Sequence, residues 1–427
     1  MTEREAEDYL LLLKSRGSHP GLDRVFKLAE ELGHPEKKLK FVHIAGTNGK
    51  GSVGAFLASI LKAAGFRTGH YFSPSLSEER DAIRIGGKPL TKKAWREGLE
   101  ALREAEERLA AKKEALPTVF EAVTLLAFRT FEAAGCDIVI TECGMGGAGD
   151  ATNIIPPPLL AVFTPISMDH MAFLGHSLKA IAKEKSGIIK PGSAVLSAKQ
   201  PEEAARVLES AAEGRLCYPE EAAHVRLGLK GAVFDCGGYK KLSIALAGSW
   251  QPQNAALAVK AAELLKDRGF PVSEKALRKG LADTEWFGRF SLLKYRPPVI
   301  ADGAHNEAGA AALAESLKVL LPGKGCIFLM GVLADKEYEK ELALLLPLAL
   351  QLICITPPEN PRALPGLELA EAAGRISPAL PVSTADSVEE GLELAELLSG
   401  GKLPIVCCGS LSWMDRLQKA FKKEKEK

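Results

Sequence analysis

From Pro297 onward, short apolar runs alternate with amphipathic stretches. The runs are "VIAD", "CIFLMG", "LICIT" and "PIVCCG"; between them lie segments such as "AGAAALAESLKVLL" and "SVEEGLELAELLSG". A period near two giving way to one near 3.6, repeatedly, predicts βαβ units around a mainly parallel sheet. The first part of the chain is also α/β but less regular. "FVHIA" reads as a strand that runs into a glycine-rich loop and the helix "SVGAFLASILKAAG". Helical periodicity covers residues 91–113 and 119–134 and is followed by a buried strand, "DIVITECG". Short alternating runs over 225–247, with Gly237 and Gly238 between them, predict a β-ribbon ahead of the helix "QNAALAVKAAELLKDRG". Helical periodicity stops at "DTEWFGRF", and Pro297–Pro298 reopens the chain into a strand. Two domains are therefore expected, 1–286 and 287–427. The terminal "KKEKEK" reads as a frayed, solvated helix end.

Composition narrows the class of protein without naming a chemistry. A chain of 427 residues is too long for one ordinary hydrophobic core. With 46% hydrophobic and 26% charged residues it is composed as a soluble globular protein. Its 55 basic and 54 acidic side chains leave a formal charge of +1, so no overall basic field exists to hold nucleic acid or an anionic membrane. The N-terminal "MTEREAEDYLLLLKSRG" carries early acids and does not read as a signal peptide. No apolar run reaches the roughly 18 residues of a membrane span. Eight scattered cysteines without a C-x-x-C pair point to a reducing, cytoplasmic compartment rather than a disulfide framework or a zinc site.

The candidate chemistry starts in the loop "GTNGKGS", Gly46, Thr47, Asn48, Gly49, Lys50, Gly51 and Ser52. It departs from the pattern G-x-x-x-x-G-K-[ST], because Ile44 stands where the first glycine should be and the hydroxyl comes one place late. Its position is nonetheless that of a phosphate site, directly after a buried strand and at a helix N-terminus, where backbone N–H groups and the helix dipole favour an anion. Lys50 adds a point charge. A nucleotide loop calls for a magnesium carboxylate, and Glu142 stands at the carboxyl end of the strand in "DIVITECGMGG", where ligands gather in open α/β sheets. Read by themselves, Lys183, Lys185 and Lys190 are helix-surface lysines, and His170 is a capping or core histidine.

The ordered set "GTNGKGS", "ERDAIRIGG", "DATN", "DH…LG", "IAKEKSGIIKPG", "GRF", "DGAHN" and "GVLADKE" resembles the Mur ligase superfamily, in particular its folylpolyglutamate synthase/dihydrofolate synthase branch. The resemblance implies an N-terminal P-loop-type ATPase domain, a C-terminal Rossmann-like domain and a cleft between them. It implies ATP-dependent ligation: ATP phosphorylates a carboxylate, and the amine of L-glutamate displaces the phosphate. It also implies site residues. Lys50 and Ser52 would hold phosphates, and Ser73 and Glu142 a first Mg²⁺. His170 and a carbamylated Lys185 would complete a second Mg²⁺ site with Glu142. Asn254 would meet the adenine, Arg289 the β/γ-phosphates, and Asp302 and His305 the ribose and phosphate region. Asn306 would also cap a helix. A monomer acting on small molecules (ATP, L-glutamate and a folate or dihydropteroate) is expected.

Four positions depart from the family's usual pattern. Ser75 stands in place of a histidine, Ala148 and Gly149 interrupt an expected Gly-Gly-Arg-Leu-Asp-Ala-Thr-Asn, and Trp250 replaces a histidine. The acid usual after Gly-Arg-Leu is also missing from "GRFSLL". The changes spare the ATP-handling residues and fall on the acyl-acceptor side. A paralogous ligase acting on a non-folate acid is thus the alternative to a folate ligase. A nucleotide-binding module without ligase activity is opposed by the retained Lys50, Glu142, His170, Lys185 and Arg289. A dinucleotide enzyme is opposed by the lack of G-x-G-x-x-G after the C-terminal strands.

Overall fold

A computed structural model describes residues 1–19 and 21–425, the side chains of 423–425 aside. The terminal helix Met414–Lys425 runs into the "KKEKEK" tail, whose last two residues lie outside the described ones. The chain forms two compact units: residues 1–221 with 254–283, and residues 222–253 with 284–427.

The first unit is built on an eight-stranded sheet. Its strands are β1 (Phe41–Ala45), β2 (Thr68–Tyr71), β3 (Ile83–Ile85), β4 (Lys88–Pro89), β5 (Ile138–Glu142), β6 (Leu160–Phe163), β7 (Ala194–Ser197) and β8 (Leu216–Cys217). They lie in the order β4-β3-β2-β5-β1-β6-β7-β8. The six strands from β2 to β8 in that order are mutually parallel; at the edge β3 pairs antiparallel with β2, and β4 antiparallel with β3. Every residue of β1, β2, β5 and β6 is buried, as the apolar runs "FVHIA" and "DIVIT" require of parallel strands covered on both faces. The parallel order brings the carboxyl ends of β2, β5, β1 and β6 to one edge, and the candidate loop leaves β1 in the middle of that edge.

Helices Lys92–Ala111 and Val119–Ala133 match the two predicted helical stretches, and each begins at a threonine cap, Thr91 and Thr118. Thr118 completes a capping box with Glu121. Their apolar faces join Phe41, Phe128 and Phe131 in one core cluster, while Phe163, Ile181 and Leu208 lie in another. Among the described residues no helix is long and apolar enough to cross a membrane. Among the described residues the eight cysteines form no disulfide.

The second unit holds a three-stranded antiparallel meander, β9 (Ala223–Gly228), β10 (Gly231–Cys236) and β11 (Tyr239–Ile244), the ribbon expected from the alternating runs. Its six-stranded sheet contains β12 (Ser291–Tyr295), β13 (Pro298–Ala301), β14 (Cys326–Met330), β15 (Ala349–Ile355), β16 (Val382–Ala385) and β17 (Ile405–Cys408). The order is β12-β13-β17-β14-β15-β16, parallel except for the edge strand β12. The sequence boundary at 286/287 lies close to the structural division at 283/284. Residues 222–253, assigned from sequence to the first domain, pack instead with the second unit. Alternation identifies strands but says nothing of which core they join.

Candidate active site

The loop between β1 and the helix Lys50–Ala63 is shaped by contact with the segment leaving β6. Gly46 has φ 149°, and a Cβ there would fall 1.9 Å from Thr164 Oγ1. Only glycine lets the backbone lie so close. Thr47 donates through Oγ1 to Ser167 O and accepts from Ser167 N, both at 3.0 Å, and its own N–H donates to Pro165 O at 2.9 Å. Gln200 holds the opposite side of this segment, accepting from Ile166 N and donating to Thr164 O. Gly49, in the left-handed region, occupies the N-cap of the helix. Asn254 reaches this loop: its Oδ1 would lie 2.9 Å from a Cβ at Gly49. Asn48 completes the turn, and Gly51 and the buried Ser52 lie in the first helical turn.

Two ammonium groups converge on the loop. Lys50 donates to Gly46 O at 3.0 Å and Thr47 O at 3.2 Å. Lys185, from the helix Leu178–Ser186, donates to the same Gly46 O at 2.8 Å. Lys185 is 5% exposed, which overturns its reading as a surface lysine. Burial, with the charge of Lys50 second, pushes its pKa down to about 7. A signal was present in the sequence. Residues 178, 181, 182 and 185 follow the spacing of one helix face, so Lys185 extends the apolar stripe of Ile181 and Ala182. Lys183 is exposed, as read, and Lys190 is half-buried, its ammonium donating to Asn153 O at 2.7 Å.

Glu142 ends β5 opposite Ile44 of β1, buried at the same carboxyl edge. Ser73 follows β2, whose Tyr71 pairs with Thr141 beside Glu142. His170 occupies a left-handed position ahead of the short helix Met171–Leu174; its imidazole is 38% exposed and 3.9 Å from Asp169, with no side-chain cap. Neither a core nor a capping role describes it.

A divalent cation beside a nucleotide takes oxygen ligands, and the hydroxyl of Ser73 with the carboxylate of Glu142 suits Mg²⁺ chemically. Glu142, His170 and Lys185 are a different case, because they comprise two ordinary metal ligands and an amine. Among the described residues no three His, Cys, Asp or Glu side chains cluster as a metal site. A CO₂ adduct on Lys185 would convert the amine into the oxygen donor that this set needs.

In the second unit, Asp302 is buried at the end of β13, where it accepts from Phe290 N at 2.7 Å and Ala304 N at 2.8 Å. Burial pushes its pKa up, opposed by the nearby Arg289 charge and these two N–H groups. Oδ2 thus holds the turn that carries Arg289, and Oδ1 holds the turn that follows β13. His305 pairs Nδ1 with Gly303 O at 2.8 Å, and Asn306 caps the helix Glu307–Leu320 as expected. Trp250 packs edge-on against Phe290, with ring centroids 6.2 Å apart, so this departure serves the core of its own unit.

The model of the Mur ligase middle domain matches residues 44–262, and that of the Mur ligase glutamate ligase domain matches residues 288–411. The chain belongs to the Mur ligases. The dihydrofolate synthase/folylpolyglutamate synthase of Bacillus subtilis is 35% identical over 421 residues, covering 95% of this chain and 96% of that protein. The Mycobacterium tuberculosis folylpolyglutamate synthase complexed with ADP aligns with a TM-score of 0.87 at 30% identity, over 99% of this chain and 98% of that one. The structure of E. coli FolC with DHPP and ADP aligns with a TM-score of 0.86 at 29% identity, over 98% of each chain.

The middle-domain match spans residues 222–253, which in this Mur ligase pack with the second unit. Sequence continuity and spatial packing divide the chain differently there. The departures Ala148 and Gly149 are exposed, on a loop tied to the lysine-bearing helix by Ala148 N donating to Glu184 O at 2.8 Å. Asn153 strengthens the tie, donating to Ala148 O and Gly187 O. Ser75 is half-buried beyond β2. Sequence reasoning missed two features of this Mur ligase site. Thr164 sits beneath Gly46, and His70 of β2 meets Glu142 with Nε2 2.8 Å from Oε1. Both contacts join strands far apart in sequence, and neither residue belongs to a recognisable motif.

Proposed function

We propose that this protein is an ATP-dependent ligase that adds L-glutamate to a folate-type carboxylate through an acyl phosphate. The observation that carries the reading is the convergence of Lys50 and Lys185 on the loop carbonyl of Gly46, beside Glu142, at the carboxyl edge of a parallel sheet. ATP is the nucleotide such a loop takes in this family. A carboxylate oxygen of the acceptor attacks the γ-phosphorus, the β–γ bridging P–O bond breaks, and ADP leaves. The glutamate nitrogen, having lost its proton, then attacks the acyl carbon. The C–O bond to phosphate breaks, leaving an amide and inorganic phosphate.

Such phosphoryl transfer needs position and charge neutralisation more than a protein nucleophile. Lys50 can swing from its two loop carbonyls onto phosphate oxygens, while the Gly46–Ser52 backbone supplies N–H donors. Mg²⁺, when bound, neutralises charge on the phosphate oxygens; Ser73 and Glu142 would hold one ion, and Glu142, His170 and a carbamylated Lys185 a second. Carbamylation joins the neutral Lys185 nitrogen to the carbon of CO₂ and releases a proton. A buried amine with a pKa of about 7 is suited to it, because a large fraction is unprotonated at neutral pH. Arg289, Asp302 and His305 keep the phosphate- and ribose-side roles that the resemblance implies. We place the protein in the cytoplasm as a monomer. The acceptor class is tested by following ADP release with L-glutamate and, in turn, tetrahydrofolate, dihydropteroate or no acid. Release that requires both glutamate and a folate-type acid supports the reading; release with neither acid overturns it.

A further inference from the structure

His70 has no place in the chemistry above, yet it is 3% exposed and its Nε2 lies 2.8 Å from Oε1 of Glu142, itself 2% exposed. Two further contacts show that this pair is built in. A Cβ at Gly54, one turn into the phosphate-loop helix, would fall 2.6 Å from His70 Nε2 and 2.8 Å from Glu142 Oε1. The helix backbone therefore closes directly over the bond, and a glycine is what leaves room for it. On the other side, the His70 ring packs against Phe72 at 5.2 Å, and the guanidinium of Arg84 lies 5.2 Å from the Phe72 ring centroid. Arg84 is also His70's register partner across β2 and β3. The imidazole is thus held by its own strand, the neighbouring strand and the loop helix at once.

We propose that His70 is a positioning residue for Glu142 in metal binding, an assignment that rests on the magnesium–nucleotide reading of the site. An ionised carboxylate only accepts hydrogen bonds, so Nε2 carries the proton and donates to Oε1. That bond fixes the carboxylate rotamer and leaves Oε2, and the second lone pair of Oε1, for a cation. Groups that orient a metal ligand typically change metal affinity ten- to a hundredfold when removed. Gly54 belongs to the same device, since any side chain there enters the bond.

The test uses the full chain with a non-hydrolysable ATP analogue and measures Mn²⁺ affinity by electron paramagnetic resonance, alongside circular dichroism. His70→Leu removes the donor and should weaken Mn²⁺ binding about tenfold or more. His70→Gln, which returns an N–H donor at similar reach, should recover affinity to within about threefold of the parent. Gly54→Ala should reproduce the Leu variant's loss with His70 intact, so the idea stays testable even if His70→Leu folds poorly. Unchanged Mn²⁺ affinity in folded His70→Leu or Gly54→Ala overturns the assignment while leaving the functional reading in place. Gln as defective as Leu also overturns it, because His70 would then be a direct ligand or a packing residue. Failure of the parent to bind Mn²⁺ with the nucleotide overturns the magnesium reading itself, and the assignment with it.

Discussion

The ammonium groups of Lys50 and Lys185 share one acceptor, lying 3.0 and 2.8 Å from Gly46 O. One charge belongs to the loop itself and the other to a buried position on a separate helix. Their proximity, added to burial, is why Lys185 gives up its proton near pH 7. A phosphate would relieve the crowding by taking Lys50, and CO₂ would relieve it by consuming the amine of Lys185.

Stability should report this crowding. The folded pKa of Lys185 is about 7, below its ordinary value of 10.5, so between those limits the unfolded chain binds more protons. The resulting destabilisation is complete below pH 7 and fades as pH rises towards 10.5. In degassed, bicarbonate-free buffer, the Lys185→Met variant should therefore be stabilised relative to the parent at pH 6, and the advantage should shrink by pH 9. Denaturant midpoints at the two pH values check it.

Carbamylation gives a separate readout. With ¹³C-bicarbonate at pH 8, the parent should show a carbamate carbon resonance that Lys185→Ala lacks. Activity lost in Lys185→Ala should return partly with a short carboxylic acid added. A free ammonium at 185 in crystals of active enzyme grown with bicarbonate would contradict this account.

Lys50→Ala should abolish ATP turnover with little effect on folding, because Lys50 is half-buried at the loop rather than in a core cluster and donates to the carbonyls of Gly46 and Thr47. ADP release and circular dichroism on the same sample separate the two effects.

Gly46→Ala should damage both fold and nucleotide binding. The new methyl would meet Thr164 Oγ1 at 1.9 Å on a backbone with φ 149°. Strain of this kind costs on the order of 1–3 kcal/mol, before any displacement of the loop. Thermal unfolding should fall by several degrees, and ATP-analogue affinity should drop with it.

Much of this site could be read before the fold was seen. "FVHIA" coincides with β1, and the glycine loop follows it onto a helix, because local spacing specifies both. Apart from the resemblance, the burial of Lys185 was legible only if the 178, 181, 182, 185 face was treated as one stripe, a lysine at its end notwithstanding. His70 was not legible at all. Its function depends on β2 lying beside β5, and sheet order is fixed by packing across the whole unit rather than by residues near 70. Residues 222–253 show the same limit, since their strands were plain and their partner unit was not.

We propose that acceptor choice turns on the exposed loop at Ala148 and Gly149 and on Ser75. Neither Ala148 nor Gly149 can supply the planar fork of an arginine, and Ser75 reaches less far than an imidazole. Loss of one charged contact costs about 1.5–3 kcal/mol, roughly ten- to a hundredfold in affinity. Dihydropteroate should be a poor substrate relative to a reduced folate. Ala148→Arg, at an exposed position, should improve its use. A micromolar Michaelis constant for dihydropteroate in the parent would show these departures to be neutral.

Product analysis bears most immediately on ATP-dependent joining of glutamate to a folate-type acid. The purified protein is incubated with ATP, Mg²⁺, tetrahydrofolate and ¹⁵N-glutamate, and the products are resolved by mass spectrometry alongside ADP. One labelled glutamyl amide is expected for each ADP released, and neither product from Lys50→Ala. ADP without amide, or glutamate joined only to an acid unrelated to folate, would contradict this reading.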